Sequence, residues 1–145
     1  MFPKSTYVNR RNILKQTLKS GIILFPGNGE SSMNYADNWY PFKQDSSFLY
    51  YTGIDLIPDL YFLINIDTGE EILFGNNATP EEKVWIGSAE KLESFAEKSG
   101  FSTVKPLDQV ASYLKAQLAK GQQVHYLPPY RSAQKIAIST LLDIP

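Results

Sequence analysis

A single histidine, His125, and the absence of cysteine restrict the chemistry that this 145-residue chain can perform by itself. A hydrolytic metal site or a histidine-based catalytic triad would have to be built around His125, because the chain offers no thiolate nucleophile or sulfur ligand. His125 lies on a predicted strand, and no orienting carboxylate or second metal ligand lies at a suitable spacing nearby. The composition therefore argues against a complete enzyme and favours a structural role for His125.

Two pairs of adjacent carboxylates, Glu70–Glu71 and Glu81–Glu82, could serve acid–base chemistry only if both members faced one substrate. Adjacent residues of a strand point to opposite faces, so Glu70 and Glu71 cannot do so. Glu81 and Glu82 follow Pro80, where acidic side chains complement the dipole of a first helical turn. We interpret both pairs as solvated side chains.

The segment from Gly27 to about Ser46 shows neither helical nor strand periodicity, and an irregular connection of this length is often functional. Aromatic side chains are concentrated in and just after it: positions 35 to 51 hold seven of the 9 Tyr, 8 Phe and 2 Trp residues. Polar side chains such as Asp37 and Gln44 lie among these rings. Such a mixture is typical of a cleft wall or a subunit interface.

Length and charge indicate one ordinary globular domain. The 145 residues are 43% hydrophobic and 20% charged, which suffices for a buried core. Residues 1–20 carry five basic side chains and no acidic ones, whereas residues 21–100 carry four basic and thirteen acidic ones, a sum of −9. Nucleic-acid binders usually show a larger basic surface, so no nucleic acid is expected as a partner.

The apolar runs are too short to span a bilayer and no signal peptide is evident, so we expect a cytoplasmic protein without membrane association.

The hydrophobic pattern alternates between helix and strand. Helices are predicted at residues 6–19, 89–98, 107–120 and 131–142. Strands are predicted at residues 22–25, 48–51, 60–66, 71–74, 101–104 and 124–127. The third and fourth strands form a hairpin around Gly69, and Tyr7, Leu14 and Leu18 share one face of the first helix.

Several predicted strands are apolar at every position, for example residues 22–25 and 60–64. Such strands require cover on both faces of their sheet. Because helices flank them in sequence, we predict an α/β fold, a three-layer domain with a central mixed β-sheet flanked by helices.

Three motifs give the chain a family resemblance. They are Arg10-Arg11 with Leu14 and Leu18, the stretch YPFKQDSSFLYYTG at residues 40–53, and Val84-Trp85-Ile86-Gly87. In order and spacing they resemble the N-terminal domain of aminopeptidase P and related Xaa-Pro peptidases, over nearly the whole chain. The central motif is the most specific, although Lys43 and Ser47 stand where the family typically has an arginine and an acidic residue.

The resemblance implies a creatinase/prolidase N-terminal domain-like fold with a ribonuclease H-like motif, in which residues 1–145 form a single N-terminal domain of a longer protein. In that family a C-terminal pita-bread metallopeptidase domain, absent from this chain, holds two divalent metal ions, often manganese. A metal-bridging hydroxide there attacks the carbonyl before proline. The full-length protein is thus expected to be a dinuclear-metal Xaa-Pro peptidase, whereas this domain is expected to bind no cofactor and to be inactive alone.

The resemblance also implies partners and non-catalytic roles for four residues. Asp37, four residues before Pro41, resembles the family's acid that reaches toward the catalytic cleft, and Trp85 resembles its tryptophan at the substrate-binding rim. Taken alone, Trp85 fits core packing and stacking on an apolar ligand equally well. Tyr40 and Gln44 are expected to support the loop. The expected partners are the protein's own C-terminal catalytic domain, further copies in a homodimer or homotetramer, and proline-containing peptides as substrate.

Two alternatives remain open from the sequence. A peptidase-like scaffold that has lost hydrolytic activity, as in some histone chaperones, could use the acidic middle segment to bind a basic protein. A stand-alone protein- or peptide-binding module could use the aromatic segment instead. The metal-ligand set of a downstream domain distinguishes these from the peptidase, because only the peptidase needs it intact.

Overall fold

The computed structural model describes residues 1–28, 44–55, 57–76 and 91–125. Four α-helices lie in these ranges: α1 (Lys4–Leu18), α2 (Ser46–Thr52), α3 (Leu92–Ser99) and α4 (Val110–Ala119). Five strands accompany them: β1 (Ile22–Pro26), β2 (Tyr61–Asn65), β3 (Glu70–Phe74), β4 (Thr103–Lys105) and β5 (Val124–His125). A short 3₁₀ helix at Leu107–Gln109 leads into α4. None of the described helices is long and apolar enough to cross a membrane.

The strands form one mixed sheet in the order β4-β3-β2-β1-β5. β2 pairs antiparallel with both β1 and β3, whereas β1 pairs parallel with β5 and β3 parallel with β4. Gly69 has a φ of 81° in the turn between β2 and β3, which a residue with a side chain adopts only at a cost. The predicted hairpin is therefore confirmed.

Helices cover both faces of the sheet, which confirms the predicted three-layer arrangement. One core lies beneath α1, α2 and α3 and includes Ile23, Phe48, Phe62 and Leu73. The other lies beneath α4 and contains the strand residues that alternate with these: Ile22, Leu24, Leu63, Ile72 and Phe74. Two buried faces explain why residues 22–25 and 60–64 are apolar at every position.

The strand predicted at residues 48–51 is wrong, because these residues belong to α2. The Asp45 carboxylate accepts a hydrogen bond of 3.0 Å from the backbone N–H of Phe48 and thereby caps the helix. Gly53 ends it in the left-handed conformation, with φ at 70°. Phe48 and Thr52, one turn apart, form the buried face. The Asp45 cap and the four-residue spacing of the buried Phe48 and Thr52 favour a helix more strongly than the aromatic residues favour a strand.

The remaining predicted elements agree with the structure within their described parts. The first helix, the strands of the hairpin and the two helices that end before Gly100 and Gly121 are confirmed within a few residues. The predicted helix at residues 131–142 and the end of the last predicted strand lie outside the described residues.

A buried arginine connects the three helices of one layer to the sheet. Arg11 of α1 is fully buried, and its Nε donates a hydrogen bond of 2.8 Å to Glu71 Oε2 on β3. Its Nη1 donates to the carbonyl oxygen of Tyr51 in α2 at 2.9 Å and to Ser99 Oγ in α3 at 3.0 Å. Its Nη2 donates to the carbonyl oxygen of Ser99 at 2.7 Å. Burial lowers the pKa of the Arg11 guanidinium, and the charge and hydrogen bond of Glu71 oppose that shift.

The interpretation of Glu71 as a solvated side chain is therefore wrong. Its carboxylate is only 15% exposed and also forms an ion pair of 3.1 Å with Lys15. Glu70 points to the opposite face, as expected for adjacent strand residues, and accepts a hydrogen bond of 2.9 Å from the Tyr113 hydroxyl on α4.

Substituting each of these adjacent glutamates tests the Arg11 network. We expect Glu71→Gln to lower the free energy of unfolding by about 3 kcal/mol, because it leaves the buried Arg11 charge without its counter-charge. Glu70→Gln removes the same carboxylate from an exposed site, and its expected cost is below about 1 kcal/mol. Urea unfolding curves give both values. Equal losses for the two variants would contradict this account.

Candidate functional site

The sheet topology brings two long connections to the same edge of the domain. Because β2 is antiparallel to both of its neighbours, β1 and β3 run in the same direction and their carboxyl ends lie at one edge. Residues 29–43 follow β1, and residues 77–90 follow β3. One strand separates β1 from β3, so the two starting points are about 10 Å apart. The carboxyl edge of a largely parallel sheet is where α/β proteins commonly place their ligands.

Three of the four predicted site residues lie in these connections. Asp37 and Tyr40 follow β1, and Trp85 follows β3, all outside the described residues. Their proposed roles stay predictions. The topology does establish that the connection containing Asp37 and Tyr40 and the connection containing Trp85 start at the same edge of the sheet.

Glycines occupy the first position after each of these two strands. A Cβ atom built on Gly27 would lie 2.9 Å from Gln44 Oε1 and 3.0 Å from the carbonyl oxygen of Leu60, closer than real Cβ contacts. A Cβ atom on Gly75 would overlap the buried Leu60 side chain. Leu60, which directly precedes β2, also accepts a hydrogen bond of 2.8 Å from the Gly27 N–H. Close packing against Gln44 and Leu60 at Gly27, and against Leu60 at Gly75, therefore favours glycine at both exits.

Gln44, the fourth predicted site residue, binds the two ends of the first connection together. It is 6% exposed, and its Oε1 accepts hydrogen bonds from the N–H groups of Asn28 at 3.0 Å and Asp45 at 3.2 Å. Its Nε2 donates to the carbonyl oxygens of Ile57 at 3.0 Å and Ile54 at 3.3 Å. One side chain thus satisfies four backbone groups in a largely buried region.

Two further polar residues at this edge were not identified from the sequence. Tyr61 begins β2 beside the exits of β1 and β3, and burial, together with the nearby Asp59 carboxylate, raises the pKa of its hydroxyl. Asp59 itself has a φ of 62°, and its N–H donates to the carbonyl oxygen of Asn28 at 3.1 Å. The Pro58–Asp59 dipeptide was the available signal, since proline favours the first central position of a turn and aspartate tolerates a positive φ.

His125 lies away from these exits and is held by the backbone. Its Nε2 is 3.1 Å from the carbonyl oxygen of Ser20, and Gly21 packs beside the same ring. This geometry agrees with the predicted structural role.

The described residues do not fit a metal centre. Within ranges 1–28, 44–55, 57–76 and 91–125, no group of three or more His, Asp or Glu side chains could hold a metal ion. The polar groups that we find at the carboxyl edge form hydrogen bonds mainly with backbone atoms.

Comparison with known proteins assigns this architecture to a family. A family model described as the N-terminal domain of aminopeptidase P matches residues 7–126. A probable Xaa-Pro aminopeptidase of Sordaria macrospora is 28% identical over 128 residues, and the match covers 88% of this chain. The Xaa-Pro dipeptidase of Homo sapiens is 28% identical over 116 residues, or 76% of this chain.

Solved structures show the same fold. An Escherichia coli aminopeptidase P variant in complex with substrate superposes with a TM-score of 0.78 over 98% of this chain, at 20% identity. An aminopeptidase of Pseudomonas aeruginosa gives a TM-score of 0.78 at 23% identity. The chain spans 22% and 23% of the length of the two curated relatives and 33% and 32% of the two solved chains.

The Gln44 contacts predict a local effect of substitution. Gln44→Leu keeps the approximate volume but leaves largely buried backbone groups unpaired, so we expect the free energy of unfolding to fall by about 2–4 kcal/mol. Amide hydrogen exchange at Asn28 should accelerate more than exchange at the centre of β2. Gln16→Leu makes the same change at an exposed position of α1 and should alter neither quantity measurably. Unchanged exchange at Asn28 would exclude Gln44 as the residue that holds this connection.

Proposed function

The chain belongs to the family of aminopeptidase P N-terminal domains, and on that premise we propose that it is the non-catalytic N-terminal domain of a metal-dependent Xaa-Pro aminopeptidase or dipeptidase. In this proposal the domain walls one side of the active-site cleft and supports oligomerisation. The family relatives bear the names of Xaa-Pro aminopeptidases and dipeptidases, which supports the reaction class for the full-length protein.

The proposal rests on one observation: the two long connections, after β1 and after β3, leave the sheet at the same edge. Asp37 and Trp85 are 48 positions apart in the sequence, yet the connections that contain them leave the sheet at one edge, about 10 Å apart. A surface that presents an acid and an indole from one edge suits a cleft wall, because the indole can stack on a proline ring while the carboxylate binds a polar group.

The described contacts provide rigidity behind that edge. Gln44 closes the connection that contains Asp37 and Tyr40, and Leu60 packs between the two glycine exits. A functional surface built on loops gains precision when buried packing and hydrogen bonds fix their ends. We propose that this is the contribution of the domain to substrate binding.

Bond cleavage belongs, in this proposal, to a C-terminal domain that supplies two divalent metal ions, with manganese as the proposed metal. Such a metal pair polarises the scissile carbonyl and generates a nucleophile from water. The described residues of this chain offer no comparable cluster of ligands. In this proposal the N-terminal domain limits access to the cleft and orients a proline-containing peptide in it. Asp37 is proposed to reach the cleft of its own subunit or of a neighbouring one.

Replacing Trp85 in the full-length protein tests the proposal. We expect Trp85→Ala to lower kcat/KM for an Xaa-Pro peptide about tenfold, because lost stacking is worth about 0.5–1.5 kcal/mol beyond the lost apolar contact. Metal content, measured by elemental analysis, should stay unchanged. Leu118→Ala removes a partly exposed apolar side chain from α4 on the far layer and serves as the control.

Two results would count against the proposal. If Trp85→Ala leaves kcat/KM for the Xaa-Pro peptide unchanged, Trp85 does not contact the substrate in the cleft. A metal-loaded full-length protein that binds peptides or basic proteins without hydrolysing Xaa-Pro substrates would instead support the scaffold or binding-module alternative.

A further inference from the structure

Arg10 and Arg11 are neighbours in α1 but have different surroundings. Arg11 is buried and paired with Glu71, whereas Arg10 is only partly buried, and none of the ion pairs found in the described ranges involves it. Arg10 Nη1 donates one hydrogen bond of 2.9 Å to the carbonyl oxygen of Tyr50. A guanidinium carries five N–H donors, so most of the donors of Arg10 are available to a further acceptor.

Aromatic rings hold the Arg10 guanidinium in place. Its central carbon lies 4.0 Å from the ring centroid of Tyr50, 5.5 Å from that of Phe2 and 5.7 Å from that of Tyr7. A guanidinium stacked in this way loses little further freedom when it binds a planar carboxylate, and its fork of donors matches both carboxylate oxygens.

Arg10 lines a cavity of about 710 Å³ between the start of α1 and α2. Phe2, Tyr7 and Tyr50 supply apolar walls, and Ser46 and Asp55 are polar residues in the lining. This volume is in the range of sites that hold small organic molecules, and so is the combination of rings with a few polar groups.

Close packing fixes one wall of this cavity. Tyr7 is 3% exposed, and its hydroxyl accepts a hydrogen bond of 2.9 Å from the Phe2 N–H. A Cβ atom on Gly53 would overlap the Tyr7 ring, so glycine at this position allows the ring to lie directly against the end of α2. Tyr7 therefore forms a wall of defined shape next to the more exposed rings of Phe2 and Tyr50.

We infer that this cavity binds a small monocarboxylate with an apolar body. The carboxylate accepts hydrogen bonds from the unused N–H groups of Arg10, and the apolar body packs against the exposed rings of Phe2 and Tyr50. This inference does not depend on the proposed peptidase function, because it uses neither connection at the carboxyl edge.

A pair of matched probes tests the inference on the 145-residue chain. N-acetyl-phenylalaninate carries the carboxylate, and N-acetyl-phenylalaninamide has the same body without the charge. We expect isothermal titration to show at least tenfold tighter binding of the carboxylate, with a smaller difference at high salt. Equal affinity for the two probes, or no binding of either one, would overturn the inference.

A charge-matched pair of variants locates the site. Arg10→Met should reduce the affinity for N-acetyl-phenylalaninate to that for the amide, and Arg10→Lys should give an intermediate value because it keeps the charge but loses the fork. Lys115→Met removes the same charge from the exposed face of α4 and should leave binding unchanged. If Arg10→Met and Lys115→Met change the affinity for N-acetyl-phenylalaninate equally, the ligand does not bind beside Arg10. If Arg10→Met fails to fold, the comparison of the two probes on the unaltered chain still decides the question.

Discussion

The pairing of a buried charge with acceptors from three other elements is the constraint on which this domain depends. A fully buried guanidinium is tolerated only when it is well supplied with acceptors, and four of the five N–H groups of Arg11 donate to groups on β3, α2 and α3. The arginine side chain therefore fixes where three helices lie relative to the sheet. The rings of Phe62 and Phe101, 5.7 and 5.5 Å from its central carbon, complete its surroundings.

Fixing that helical layer also fixes the edge that we propose to be functional. α2 begins directly after the Gln44–Asp45 pair, and the Gln44 amide binds the backbone at Asn28 and Ile57. The end of α2 is bound by Arg11 through the carbonyl oxygen of Tyr51. Two polar side chains thus anchor opposite ends of the segment that follows the first connection.

The sequence predicts the layers well because strands that are apolar at every position require cover on both faces, and this pattern is local. It fails for α2, where aromatic residues favoured a strand and the capping role of Asp45 was missed. Arg11 was also missed as a core residue, although it lies four residues after Tyr7 and three before Leu14, on the predicted buried face. An arginine at such a position is normally exposed, and its partners on β3, α2 and α3 are distant in sequence. The roles of Asp37, Tyr40 and Trp85 came from family resemblance and stay predictions.

A distance measurement in the full-length protein tests most directly whether the carboxyl edge faces the catalytic metals. Residues 1–145 contain no cysteine, so once any cysteines in the rest of the full-length protein are replaced, nitroxide labels can be placed singly at Trp85→Cys and, as a control, at Lys115→Cys on α4. The account predicts that loading the protein with Mn²⁺ strongly broadens the spectrum of the label at position 85 and leaves the label at position 115 nearly unchanged. Equal broadening at both positions, or none at position 85, would contradict the proposal that this edge walls the active-site cleft.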